Sequence, residues 1–148
     1  MSFFPDAPTT DCRKPKPQLT STNRPYWEAA REHRFELQRC RSCAAWIYPI
    51  SVSCQACGTV DDYEWTAPSG RAKLSSWVVY HHAFDPFEPA DVPYPVAEVE
   101  LEEGMRLVTQ LVGVELDGYR EGLELIVDFR DVTPDFTAIV FAPREEGE

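Results

Sequence analysis

Cys40, Cys43, Cys54 and Cys57 form two C-x-x-C pairs with ten residues between them. A C-x-x-C places two sulfurs on one tight turn, so each pair offers two ligands to a single ion. Two such turns complete a tetrahedral S4 shell, the geometry zinc adopts in closed structural sites. Iron in a rubredoxin-type centre suits the same shell, so zinc is the expected ion and iron the alternative. Disulfides would need an oxidising compartment, and Met1–Thr20 shows no apolar stretch of the secretory kind. A thioredoxin-like dithiol would need one pair beside a βαβ pattern, which the flanks do not supply. Gly58 follows the second pair, where a knuckle turn often requires positive φ. Ala44 stands at the equivalent place after the first, which implies mild backbone strain but no lost ligand. Four thiolates leave no open coordination position, so the ion is expected to organise the chain and not to act as a Lewis acid. Cys12, in a Pro- and Lys-rich stretch, reads as a free thiol.

Other chemistry is sparse. Neither G-x-x-x-x-G-K-[ST] nor G-x-G-x-x-G is present to cradle phosphates, and no G-x-S-x-G elbow offers an acyl-transfer serine. His81 and His82 are adjacent, with Asp85 close by, but neighbouring strand residues point to opposite faces and cannot share a site without a bulge. Glu98 and Glu100 read as a solvated sheet face. Nothing in the chain reads as an enzyme on its own.

The 148 residues fit one compact domain, or a small β domain with a metal-stapled module. No apolar run approaches the roughly 20 residues of a membrane span, and the chain reads as cytoplasmic. The net charge of −11 is unevenly spread. Residues 1–60 carry eight Lys/Arg against five Asp/Glu, and residues 61–148 carry six against twenty. The acidic larger part would repel a phosphate backbone, which argues against a single-stranded nucleic-acid binder.

Four segments are expected. Residues 1–22, with Pro5, Pro8, Pro15 and Pro17, form an extended arm. Residues 23–34 hold a helix, capped around Ser21–Asn23, opened by Pro25 and running to His33, with Tyr26, Ala29, Ala30 and His33 on one face. Residues 35–68 form the metal ribbon: Phe35–Gln38 as a strand into the first knuckle, Trp46–Pro49 as the returning strand with its aromatics packed over the thiolates, and Tyr63–Trp65 as a third. From residue 69 to 148 the pattern is all strand. Ala72, Leu74, Ser76, Val78 and Tyr80 are expected on one face of a first long strand. Val96–Leu101, Met105–Val114, Leu123–Phe129 and Phe136–Phe141 follow, with turns at Glu102–Gly104 and Asp117–Gly118. Five strands in about 75 residues suit a small barrel of the oligonucleotide/oligosaccharide-binding (OB) type. The fold class is therefore mainly β: one helix, a ribbon and a five-stranded barrel. The longest loop is expected over His82–Pro93.

The order of these features is distinctive. Pro25-Tyr26-Trp27-Glu28 opens the helix, Leu37-Gln38-Arg39-Cys40-Arg41-Ser42-Cys43 enters the first knuckle, and Tyr48-Pro49 precedes Cys54-Gln55-Ala56-Cys57-Gly58. Ser69-Gly70-Arg71-Ala72-Lys73-Leu74 begins the barrel, and Val99–Gly104 and Gly122–Leu125 continue it. Over about Asn23 to Pro143 this resembles the DUF35 family, with its helix, rubredoxin-like zinc ribbon and OB-fold. The resemblance implies an accessory subunit that partners thiolase-superfamily enzymes, thiolases or lipid-transfer-protein-like aldolases, working on acyl-coenzyme A thioesters in steroid or aromatic degradation among other routes. It implies that the reacting residues belong to the partner, that the acyl-CoA is shared with it, and that the assembly is a two-plus-two heterotetramer. It also makes Cys40, Cys43, Cys54 and Cys57 the metal ligands. Tyr26, Trp27, Trp46 and Tyr48 cluster around helix and ribbon as candidate partner anchors. Arg31 and Arg34 belong to a mildly basic segment that could meet nucleotide phosphates, which leaves a stand-alone acyl-CoA binder or carrier as the alternative.

Overall fold

The computed structural model describes residues 16–82 and 92–145. The arm before residue 16, with Cys12, and most of the connection after His82 lie outside the described residues. One helix, α1 (Arg24–Arg31), precedes a three-stranded sheet of β1 (Leu37–Cys40), β2 (Trp46–Ile47) and β3 (Tyr63–Thr66), ordered β2-β1-β3 and antiparallel throughout. A second sheet follows: β4 (Arg71–Tyr80), β5 (Tyr94–Leu101), β6 (Arg106–Thr109), β7 (Glu124–Thr133) and β8 (Phe136–Pro143), ordered β6-β5-β4-β7-β8. It curls until Leu111, just past β6, meets Phe141 of β8 in a parallel bridge. That connectivity, with first, second and third strands in a meander and the fifth running parallel to the end of the third, is the OB-fold half-barrel. No helix among the described residues is long and apolar enough to cross a membrane.

Asn23 and Pro25 open α1 as the sequence reading expects, but the cap works differently. The Asn23 side-chain oxygen accepts from the Thr20 amide at 2.7 Å, while Thr20 Oγ1 accepts from the Asn23 amide at 3.1 Å. Thr20 and Asn23 thus close the turn before the helix. The helix ends two residues earlier than expected. His33 leaves it with φ +57°, stacks flat on Phe129 at 5.1 Å and bonds Asp131 Oδ1 at 2.8 Å. Tyr26, Ala29 and Ala30 are the buried face, and His33 is not part of it.

Two further expectations are corrected by register. The first long strand does not keep Ala72, Leu74, Ser76, Val78 and Tyr80 on one buried face, because a bulge between Leu74 and Ser76 shifts the pairing with β5. An extra residue reverses the pleat. Ala72 and Leu74 are buried; Val78 and Tyr80 are 56% and 39% exposed. The strand expected over Met105–Val114 stops at Thr109, and a short 3-10 turn at Leu116–Gly118 occupies the link to β7.

Helix, ribbon and barrel share one core. Tyr26 of α1, Phe35, and Leu37 of β1 pack with Leu74, Val99, Leu101, Leu125 and Phe141 of the barrel. Trp27 packs on Phe136 with ring centres 5.6 Å apart, and Phe35 meets Phe141 edge-on at 6.2 Å. α1 therefore lies against β8, the last strand.

Candidate metal centre

Cys40 closes β1, and the chain turns at once. The Cys40 amide donates to Ala45 O at 2.8 Å and the Ala44 amide to Cys40 O at 3.0 Å. The second knuckle repeats this register: Cys54 N to Thr59 O at 2.9 Å, and Gly58 N to Cys54 O at 2.8 Å. Such equivalence is what two C-x-x-C turns facing one ion require. The fifth residue of each turn takes the left-handed conformation, Ala44 at φ +64° and Gly58 at φ +80°. Ala44 carries the strain its position implied, since a Cβ disfavours that region.

The four Sγ atoms lie within 4.8 Å of one another. Cys40–Cys57 and Cys43–Cys54 are separated by 3.7 and 3.6 Å. A disulfide would need about 2.05 Å. A tetrahedron with metal–sulfur bonds of about 2.3 Å has edges of about 3.8 Å, so these spacings fit a tetrathiolate ion. Cys40 and Cys54 are buried and Cys43 and Cys57 exposed, so one side of the cluster faces solvent. Thr59 Oγ1 sits 3.0 Å from Cys57 Sγ. That hydroxyl, helped by the Thr59 amide, lowers the Cys57 thiol to about 6. Cys43 accepts from the Ala45 amide, which acts downward, yet partial burial and the three neighbouring thiols push it up to about 12. Four thiolates cannot crowd together without a cation, and a divalent ion displaces their protons on binding. The four cysteines are placed to bind a metal ion.

The expected aromatic cover over the sulfurs is different in the structure. Register places Gln38, Ile47 and Trp65 together, and Cys40 opposite Tyr63, on one face of the ribbon. Ile47, Ala45 and Tyr63 consequently pack around Cys40 and Cys54. Trp46 and Tyr48 lie on the opposite face and pack toward the barrel core, with the Arg39 guanidinium 4.8 Å above the Trp46 ring. Strand alternation decides this, because Trp46 and Ile47 cannot point the same way.

One residue that sequence reasoning missed holds the loop between the knuckles. Gln38 is fully buried. Its Nε2 donates to Ser51 O at 2.8 Å and its Oε1 accepts from Ser51 N at 2.9 Å. The side-chain amide thus pairs with a main-chain amide as a neighbouring strand would.

The other candidate residues fall into two places. Tyr26, Trp27 and Tyr48 line a groove of about 540 Å3 where α1, the Tyr48–Ile50 segment and the barrel meet, with Val108 and Ile139 on its barrel side. Tyr26 itself is core, and burial, with Tyr48 beside it, raises its hydroxyl above the usual range. Trp46 is not part of that groove. Arg31 lies at the far end of α1, lining a polar cleft with Glu28, Glu32 and Asp131. Arg34 is held by Glu32 at 2.9 Å and by Glu36. A phosphate there would have to displace carboxylates. His81 and His82 follow β4 on the surface.

Comparison with known proteins agrees with this architecture. Residues 27–61 match the family model of the ChsH2 rubredoxin-like zinc ribbon domain, and residues 65–130 that of the ChsH2 C-terminal OB-fold domain. A probable enoyl-CoA hydratase alpha subunit of Thermomonospora curvata is 37% identical over 131 residues; these are 88% of this chain but 40% of the relative, so the chain spans about two fifths of that protein. A DUF35 domain-containing scaffold protein of Methanothermobacter thermautotrophicus is 30% identical over 88% of this chain and 89% of its own length. A solved chain described as Ltp2-ChsH2(DUF35) aldolase superposes with a TM-score of 0.77 at 35% identity, covering 86% of this chain and 98% of that one. Ribbon, barrel and near-full-length relatives coincide on the same residues, and the chain belongs to the DUF35 family.

Proposed function

We propose that this chain is an accessory subunit of an enzyme acting on acyl-CoA thioesters, with one structural zinc ion in the Cys40/Cys43/Cys54/Cys57 cluster. The partner is a thiolase-superfamily protein, a thiolase or a lipid-transfer-protein-like aldolase, working in the degradation of steroid or aromatic acyl-CoA. The single observation that carries this reading is the 35% identity over 98% of a chain solved as part of the Ltp2-ChsH2(DUF35) aldolase. The cluster supports it: a closed four-sulfur shell stiffens a ribbon too small to bury a core of its own, and offers no vacant position for substrate. The partner then supplies the reacting groups, and this chain shapes or bridges the assembly in the cytoplasm. In this reading the groove lined by Trp27 and Tyr48 is a contact for partner or substrate, and Trp46, Arg31 and Arg34 border the same helix–ribbon unit.

Purification of the chain from its native source tests the proposal. The expected result is a two-plus-two complex with a thiolase-superfamily protein, identified by mass spectrometry, and one zinc per copy by elemental analysis. A lone monomer from native extract refutes the partner, and iron in place of zinc refutes the ion.

A further inference from the structure

Beyond the bulge, β4 and β5 leave the barrel. β7 pairs with β4 only at Arg71–Lys73, and β6 pairs with β5 only at Ala97–Glu100. Val78, Val79 and Tyr80 pair with Val96, Pro95 and Tyr94, and among the described residues neither strand has a further neighbour there. This two-stranded arm is apolar on both faces. Register puts Trp77 and Val79 on the face continuous with Ala97 and Val99, and Val78 and Tyr80 on the other. Trp77 meets Tyr119 edge-on at 5.7 Å, and Tyr80 stacks on Tyr94 at 5.4 Å. Trp77, Val78 and Tyr80 are nevertheless 37%, 56% and 39% exposed. An isolated two-stranded hairpin is marginal in water. Aromatic and β-branched residues displayed on such an element are what interface anchors look like.

Charge identifies the kind of surface that would cover it. From Leu74 to Met105 the sequence has seven Asp/Glu and no Lys or Arg. A second copy of this chain would bring the same acidic tract against it, and phosphates of a nucleotide or nucleic acid would be repelled alike. We infer that the Trp77–Tyr80/Tyr94–Val96 arm is the docking element for the enzyme subunit, inserting into a groove with an apolar floor and a Lys/Arg rim. This rests on the proposed function and deepens it: it names which part of the chain holds the partner.

The experiment uses the complex isolated from the native source, with the thiolase-superfamily subunit identified and then purified as the probe. Hydrogen exchange of the Trp77–Tyr80 and Val96 amides is measured in the free full chain and in the complex. Affinity is measured by calorimetry for the wild type, Val78→Glu and, as a control on an exposed ribbon position, Val60→Glu. Expected are strong slowing of arm exchange in the complex, at least about 30-fold weaker binding for Val78→Glu, and binding within about twofold of wild type for Val60→Glu. Association of the wild type should also slow as salt is raised. Unslowed arm exchange in the complex overturns the inference even if Val78→Glu binds weakly, since that loss would then reflect unfolding. So does undiminished binding by Val78→Glu, or a Val78-dependent dimer of the isolated chain. In each of these cases the partnership itself stands. If no thiolase-superfamily subunit accompanies the wild type, the inference falls together with the proposed function.

Discussion

Replacing Gln38 with methionine isolates the amide clamp from the packing around it, because the two side chains are similar in length and volume. The variant removes two hydrogen bonds of 2.8 and 2.9 Å and leaves both Ser51 main-chain groups without their partner. An orphaned polar group costs about 1–3 kcal/mol when buried. Ser51 is half-buried, so water recovers part of that, and the expected loss is about 2–4 kcal/mol. For a chain of this size each kcal/mol lowers the melting temperature by about 2–4 °C, which puts the shift at about 5–15 °C. Thermal unfolding followed by near-ultraviolet circular dichroism, with metal in excess, reads it. The same variant should surrender its ion to a chelator faster, since the loop between the knuckles is no longer tied to β1. A melting temperature within about 1 °C of wild type would show that the clamp contributes nothing net and refute the reasoning.

Serine at Cys54 should reduce bound metal well below one ion per chain, and a chelator under reducing conditions should remove the aromatic signal of Tyr63 and Trp65 while the barrel strands persist in the far ultraviolet. Ala44→Gly relieves a left-handed backbone at φ +64° and should stabilise by about 0.5–1 kcal/mol after the extra unfolded-state entropy of glycine is counted. Gly58→Ala should cost about 1 kcal/mol, all of it backbone strain, because an added Cβ would meet nothing within 4 Å; denaturant melts check both. Asp131 is held below the usual carboxylate range by the His33 bond and by the Thr137 hydroxyl. Its contribution is present above an ordinary aspartate pKa of about 3.9 and lost as pH falls through the lower folded value. Asp131→Asn should therefore melt below wild type at pH 5, with the difference closing in more acid solution.

Much of the molecule was legible because its signals are local. Two C-x-x-C pairs specify sulfurs on two turns whatever surrounds them, and the structure brings all four together. Asn23 with Pro25 marks a helix start, and Gly104 and Asp117-Gly118 mark turns. What escaped depended on partners distant in sequence. The Leu74/Ser76 bulge leaves no mark in composition, yet it turns Val78 and Tyr80 from expected core to surface. Gln38 reads as an ordinary outward residue of an alternating strand; only the return of Ser51 beside it makes its amide a buried pair. Trp46 and Ile47 form a two-residue strand, too short for alternation to reveal which one faces the sulfurs. The His33–Asp131 bond spans 98 positions and has no local signature.

The contact of α1 with β8 has a consequence for biogenesis. During synthesis the helix and both knuckles emerge while most of the barrel is still untranslated, so Tyr26, Trp27 and Phe35 wait with their apolar surfaces uncovered until Phe136 and Phe141 arrive. Contacts of such long sequence separation slow folding and prolong exposure. A nascent chain halted before residue 136 should therefore recruit holding chaperones, and release them once the last strand clears the ribosome.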